Sequence, residues 1–117
     1  MKARKIITCL LSFVLVSLFA FSVQAAETIK IGCIDPMSGT MAALGLEAVD
    51  NFNLAAEKFN EAGGLLGGRM IEIVPLDNAM SAEKTTQQLK KAIDTGISFV
   101  TQGMGSNHAL NIIKTLD

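Results

Sequence analysis

After residue 25, the spacing of hydrophobic and polar positions alternates between that of strands and that of helices. From Thr28 to Ile34 the chain alternates and then becomes nearly all apolar, which is typical of a strand entering a buried sheet. Two further strands are predicted, from Arg69 to Asp77 and from Ile97 to Gln102. Pro75 removes a ladder donor, so we expect the second strand at an edge or an irregular end of the sheet.

Between the strands, apolar residues recur three or four positions apart, which is the spacing of one helix face. This predicts helices from about Met41 to Ala62, from a cap at Ser81 to about Thr95, and from Ala109 onward. Gly63-Gly64 and Gly96 end the first two. The residues expected to face the core are Met41, Leu44, Ala48, Phe52, Ala55, Phe59 and Ala62 in the first helix, and Ala82, Thr85, Leu89, Ala92 and Ile93 in the second.

The order of elements is therefore β-α-β-α-β-α. Strands separated by helices of this length run parallel with right-handed crossovers, so the predicted fold class is α/β, a parallel sheet with helices on both faces. The helical pattern still continues at Asp117, and three parallel strands leave edges exposed. We therefore expect the stability of this α/β unit to depend on sequence beyond residue 117.

Residues 1–25 have the three parts of a secretory signal peptide: a basic start, an apolar middle and a small-residue end. Cleavage is predicted after Ala25. An uncleaved membrane anchor is the alternative, because Ile6 to Val23 approaches the length of a membrane span. The serines, the threonine and the Ala-Ala ending favour cleavage and export to the periplasm.

Setting the leader aside changes the composition. The chain has 50% hydrophobic residues overall, but the leader holds a disproportionate share of them. The remainder carries more acidic than basic residues and has no basic stretch, so nucleic acid is not expected as a partner. Cys33 is the single cysteine beyond the leader, which excludes an intrachain disulfide, and we expect it to be a small core residue.

Ligands of open parallel sheets bind beyond the carboxyl ends of the strands, which here directs attention to the loops 35–40, 77–81 and 103–107. In the third loop, Gly103 and Gly105 allow close backbone approach, and Ser106 and Asn107 stand where a helix starts. Free N–H groups and the positive helix end suit an anion, which indicates a carboxylate site. Spacing alone equally allows Ser106 or Asn107 to cap its own helix.

Other chemistries find less support. The third loop lacks the last glycine of a dinucleotide fingerprint, and no Walker sequence occurs. His108 is the only histidine, so a structural role is favoured over metal ligation. Asp35 and Asp77 end successive strands, as a phospho-acceptor pair would, but export from the cytoplasm disfavours that role. No nucleophile with a base and an orienting acid can be assembled, so neither an enzyme nor a cofactor is predicted.

Several short motifs together resemble the start of a type I periplasmic binding protein, of the leucine/isoleucine/valine-binding kind that supplies ABC importers. The resemblance covers residues 28–117. The segments that carry it are Ile29-Lys-Ile-Gly32, Pro36-Met-Ser-Gly39, Ala42-Ala-Leu-Gly45, Phe59-Asn-Glu-Ala-Gly-Gly64, Leu66-Gly-Gly-Arg69, Ile71-Glu-Ile-Val74, Asp77 and the Gly-Met-Gly-Ser loop.

The resemblance implies two α/β lobes that close on a small molecule, with residues 26–117 forming an incomplete N-terminal lobe. In the family, the loop after the third strand binds the ligand carboxylate, which implies Met104, Gly105 and Ser106 here. Leu44 stands where the family places an aromatic residue against the ligand, and Ser38 on the first loop completes the candidate site.

The function implied is capture of a branched-chain amino acid, or a similar apolar carboxylate or amide, for delivery to ABC permease subunits in the inner membrane. We expect a monomer when the protein is full length. The alternative is the ligand-binding sensory module of an envelope signalling receptor. An envelope enzyme would require a nucleophile and a base beyond Asp117.

Overall fold

The computed structural model describes residues 27–116, and the predicted leader lies outside the described residues. The predicted order of strands and helices is confirmed. The elements are β1 (Ile29–Asp35), a 3-10 turn (Gly39–Met41), α1 (Ala42–Glu61), β2 (Ile71–Asp77), α2 (Ala82–Asp94), β3 (Phe99–Thr101) and α3 (Ser106–Leu116).

The three strands form one parallel sheet in the order β2-β1-β3, with β1 in the centre. β1 pairs with β2 along its whole length, from Ile29 opposite Ile71 to Asp35 opposite Asp77. β3 is shorter than predicted, because it pairs with β1 only from Phe99 to Thr101. Pro75 lies in an edge strand of this sheet, as its missing N–H predicted.

One face of the sheet carries the main apolar core. Its buried members are Ile34, Leu76, Leu89, Ala92, Ile97 and Ile112, with Val74 and Val100 packed against them. The cluster joins β1, β2 and β3 to α2 and α3, and each fully buried Leu or Ile in it stabilises the fold by about 1.5–3 kcal/mol. Gly32 leaves room at the centre, since a Cβ there would lie 3.0 Å from Leu76 Cδ1.

α1 packs on β2 and β1, and the prediction of its buried face was wrong in part, because only Met41, Ala48 and Phe52 of that face are half-buried. The residues it buries are Gly45, Val49 and Ala56, whereas Leu44 is 51% and Phe59 is 50% exposed. The reason is a close backbone approach. A Cβ on Gly45 would lie 1.7 Å from the carbonyl oxygen of Pro36, so the glycine and not Leu44 faces the chain after β1.

The other helices differ from prediction in smaller ways. α2 buries Thr85, Leu89 and Ala92 as predicted, but Ala82 and Ile93 are exposed. α3 starts at Ser106, three residues earlier than predicted, because the N–H groups of His108 and Ala109 already donate to the Gly105 carbonyl. Among the helices of the described range, none combines the length and apolar character that a membrane span requires.

The approach of α1 to the chain after β1 leads to a prediction. Gly45→Ala should destabilise the protein by about 1–3 kcal/mol, because the new methyl group must displace either α1 or Pro36. Thermal or urea unfolding measures this. Asn53→Ala, at an exposed position of the same helix, is the matched control and should stay within about 0.5 kcal/mol. Equal stability of Gly45→Ala and the native sequence would contradict the packing described.

Candidate functional site

The strand order predicts where a ligand crevice would lie at the carboxyl edge of the sheet. The connection from β1 leads outward to β2, and the connection from β2 returns past β1 to β3. In open parallel sheets the ligand crevice opens where the connections diverge in this way, which here is between β1 and β3. The two segments that flank this point are the chain after Asp35 and the chain after Thr101.

The Asp35 side chain spans the point of divergence. It is fully buried, and its Oδ1 accepts from the N–H of Gly103 at 3.1 Å and of Met104 at 3.0 Å. Its Oδ2 accepts from Gly103 N–H at 3.1 Å and from the thiol of Cys33 at 3.6 Å. The end of β1 is thereby bonded directly to the loop after β3.

Cys33 is fully buried, as predicted for a small core residue. Desolvation by burial, together with the charge of Asp35 and the hydrogen bond to it, raises the pKa of the Cys33 thiol to about 12. The sulfur therefore stays protonated and serves as a donor to the carboxylate, not as a nucleophile.

Asp77 has the corresponding role one strand away. Its Oδ1 accepts from the N–H of Met37 and of Ala79, both at 2.8 Å. Desolvation tends to raise the pKa of Asp77, but hydrogen bonds from the Ser38 side chain and from these two N–H groups outweigh it and hold the pKa below its usual value. Asp77 thus fixes the loop after β1, while Asp35 fixes the loop after β3.

The start of α3 presents backbone donors. Gly105 has a φ of +85°, a left-handed conformation that turns the chain into the helix. Within the described residues, the N–H groups of Gly105, Ser106 and Asn107 have no hydrogen-bond partner. In the same range, neither the Ser106 hydroxyl nor the Asn107 side chain forms a hydrogen bond, so neither side chain caps the helix.

The backbone of Met104 is already occupied. Its N–H donates to Asp35, and its carbonyl accepts from the side-chain amide of Gln102. Only the half-buried Met104 side chain is left for a ligand. Among the predicted site residues, Met104, Gly105 and Ser106 lie together at the start of α3, while the exposed Ser38 and Leu44 follow β1 on the other side of Asp35.

His108 has the structural role predicted for it. It is 2% exposed, and its Nδ1 lies 3.2 Å from the Thr85 hydroxyl. The same hydroxyl also lies 2.8 Å from the Ser81 carbonyl oxygen, so Thr85 bridges its own helix and the imidazole. The pair ties α2 to α3 behind the third loop. Among residues 27–116, no group of three His, Cys, Asp or Glu side chains is arranged to hold a metal ion.

The loop between β2 and α2 is strained. Ala79 and Met80 both have left-handed backbones, with φ of 46° and 57°, which non-glycine residues rarely adopt. Asn78 is buried, and its Oδ1 accepts from Met80 N–H at 3.0 Å. Ser81 then caps α2 as predicted, accepting from Lys84 N–H. Neither alanine nor methionine signals such a backbone in a sequence.

Comparison with known proteins decides the family. A model of periplasmic binding proteins matches residues 28–117, which is more than half of the chain. The chain belongs to the periplasmic binding protein family. The resemblance to its leucine/isoleucine/valine-binding group, based on the motifs in the sequence, is confirmed by the relatives.

Curated relatives of this periplasmic binding protein carry amino-acid-binding names. A Leu/Ile/Val-binding protein of Rhizobium johnstonii is 29% identical over 91% of the chain and 29% of the relative. The leucine-, isoleucine-, valine-, threonine-, and alanine-binding protein of Pseudomonas aeruginosa is 33% identical over 70% of the chain and 22% of the relative. The chain spans less than a third of the length of either relative.

Solved structures agree on the fold. A branched-chain amino acid transporter substrate-binding protein of Streptococcus pneumoniae, in complex with isoleucine, superposes with a TM-score of 0.68 at 28% identity. The match covers 76% of this chain and 26% of that structure. The predicted fold class, α/β with a parallel sheet, is therefore shared with other periplasmic binding proteins.

The turn at Gly105 generates a prediction with a matched control. Gly105→Ala forces alanine into a left-handed backbone and places its Cβ 2.6 Å from His108 Cδ2. Gly67→Ala meets the same backbone problem, with a φ of +88°, but has nothing within 4 Å. We expect a loss of about 1–2 kcal/mol at Gly67 from the backbone alone and about 1–3 kcal/mol more at Gly105. Urea unfolding of both variants measures the difference, and equal losses would contradict the His108 contact.

Asp77 generates a prediction about acid stability. A carboxyl group whose pKa is lower in the folded state stabilises the fold above its unfolded-state pKa of about 3.9, and this contribution disappears as pH falls through the folded value. Asp77→Asn keeps the shape but loses the charge, so the stability gap between native and variant protein should shrink below pH of about 4. Urea midpoints measured from neutral to acid pH test this. A gap that stays constant across the range would show that Asp77 is not the responsible group.

Proposed function

We propose that this periplasmic binding protein is an exported solute-binding protein. It captures a branched-chain amino acid, or a similar small apolar carboxylate or amide, and delivers it to the permease of an ABC importer. The observation that carries the proposal is the row of unpartnered N–H groups at the start of α3, within the described residues, beside the crevice between β1 and β3. The names of the relatives indicate the ligand class.

The α3 start suits the carboxylate of an amino acid. The N–H groups of Gly105, Ser106 and Asn107 and the positive end of an 11-residue helix favour a negative charge. The Ser106 hydroxyl is exposed and can add another hydrogen bond. Because the Met104 N–H is bonded to Asp35, the carboxylate contacts Gly105 and Ser106 through backbone, and Met104 contributes its thioether side chain to the apolar part of the ligand.

The other side of the crevice supplies apolar and polar contacts. Leu44 is half exposed on the first turn of α1, and Ser38 is exposed on the loop that Asp77 fixes. An aliphatic Leu44 in place of an aromatic residue leaves more room for a larger ligand side chain. Asp35 and Asp77, the carboxylates at this edge, are engaged with backbone donors, so the partner of a ligand ammonium is expected from a second lobe.

The role is binding and transport, not catalysis. The relatives carry names of binding proteins, and neither they nor the fold favour the sensory-receptor alternative. The Thr85–His108 pair is not a nucleophile with its base, because both side chains are buried away from any substrate. Export follows from the predicted leader, with release into the periplasm after cleavage at Ala25.

Calorimetry tests the proposal on protein produced from its own gene and recovered from the periplasmic fraction, where its first residue should be Ala26. Leucine, isoleucine, valine, phenylalanine and leucinamide form the ligand panel. Ser106→Ala should weaken carboxylate binding by about 1–3 kcal/mol, because one hydrogen bond to a charged group is lost. Leucinamide should be less affected than leucine.

Ser98→Ala is the matched control, since Ser98 is exposed just before β3 at the opposite edge of the sheet. It should leave every affinity unchanged. Absence of binding to the whole panel would sink the ligand class, and unchanged leucine affinity in Ser106→Ala would remove Ser106 from the site.

A further inference from the structure

We propose that Asp35 is the positioning residue of the ligand loop: its buried carboxylate holds Gly103 and Met104 so that only the N–H groups of Gly105, Ser106 and Asn107 face the ligand. The effect of Asp35 on ligand binding rests on the proposed function. The contact of Asp35 with Gly103 and Met104 can be tested without any ligand. Asp35 does not touch the ligand and acts through the loop.

The position of Asp35 is fixed from both sides. It is the last residue of β1, the central strand, and it is paired with Asp77 of β2. Its own carbonyl accepts from the N–H of Asn78 at 3.2 Å, so its backbone is bonded to the second loop of the edge while its side chain is bonded to the third. A fully buried side chain held in this way cannot follow a moving loop, and the loop must conform to it.

The loop in turn is shaped to reach the carboxylate. A Cβ on Gly103 would lie 3.3 Å from Asp35 Oδ2, tighter than most real Cβ contacts, so the glycine permits the close approach. Both backbone groups of the next residue are hydrogen-bonded. The N–H of Met104 donates to Asp35, and its carbonyl accepts from the side chain of Gln102. The first residue free to present its N–H is therefore Gly105, where the left-handed turn begins α3.

The charge of Asp35 matters as well as its shape. Its donors are two backbone N–H groups and one thiol, all neutral, and hydrogen bonds to a carboxylate are stronger than those to a neutral oxygen. Asn at this position would turn an NH₂ group toward one of the loop donors or toward Cys33, leaving at least one donor without an acceptor. A neutral isostere should therefore release the loop without leaving a cavity.

Amide hydrogen exchange of the native-sequence protein is the first measurement. The amides of Gly103 and Met104 should be protected without ligand, and those of Gly105, Ser106 and Asn107 should exchange fast. Addition of leucine should protect the second group and leave the first unchanged. If Gly103 and Met104 exchange as fast as an unstructured peptide, the proposal is overturned, and this arm needs neither a variant nor a working ligand.

Asp35→Asn is the second measurement. We expect protection at Gly103 and Met104 to fall at least about tenfold and leucine affinity to fall about tenfold to a hundredfold. Protection along the β1–β2 ladder should stay close to native. Uniform loss of protection throughout the sheet would mean a general structural role and would overturn the positioning role, as would native affinity in the variant.

Asp50→Asn is the matched control, because it makes the same substitution at an exposed position of α1. It should retain protection at Gly103 and Met104 and bind leucine with native affinity. If the native sequence binds no ligand of the panel, the proposed function fails, whereas the exchange data at Gly103 and Met104 still decide whether Asp35 positions the loop.

Discussion

The hydrogen bonds that Asp35 accepts from a loop 68 residues further along the chain determine where the candidate binding groups lie. They link the central strand to the start of α3 with a buried charge that backbone donors satisfy. An unsatisfied carboxylate at this depth would be strongly destabilising, so the loop and the strand end stabilise one another. Apolar burial holds the sheet to its helices, but it cannot specify a loop conformation in this way.

At the carboxyl edge of the sheet, two aspartates that end strands each bind the loop that follows a neighbouring strand. Asp77 of β2 holds the chain after β1, and Asp35 of β1 holds the chain after β3. The sheet below is held by apolar packing, whereas this edge depends on particular donors at particular distances. The proposed binding donors thus follow a loop that is bonded to the central strand, which would keep them oriented before a ligand arrives.

Much of the fold could be predicted because its causes are local. The strand and helix order, the edge position of β2 and the buried face of α2 follow from apolar spacing, Pro75 and the Ser81 cap. The buried face of α1 could not be predicted, because a contact between Gly45 and the Pro36 carbonyl determines it. The spacing of apolar residues along the chain does not reveal such a contact. The same holds for the left-handed Ala79 and Met80.

For the candidate site, sequence patterns indicated a loop but not the hydrogen bonds that the loop forms. Glycines before a helix indicated the third loop, and family motifs indicated Met104, Gly105 and Ser106. Nothing in the sequence revealed that the Met104 backbone is occupied, because the acceptor lies in β1 and the pairing exists only once β3 has joined it. Asp35 and Asp77 were noticed as strand-ending acids, but their role as loop anchors requires the sheet order.

The two edges of the described sheet are unequal. β2 carries Pro75, which has no N–H to offer an incoming strand, whereas β3 has no proline and its Phe99 is 59% exposed. Unlike a strand added beside β2, one added beside β3 therefore finds no proline on the strand that it pairs with. A parallel strand added there, from whatever source, would end next to the first turn of α3 and would enlarge the floor of the crevice without disturbing either aspartate.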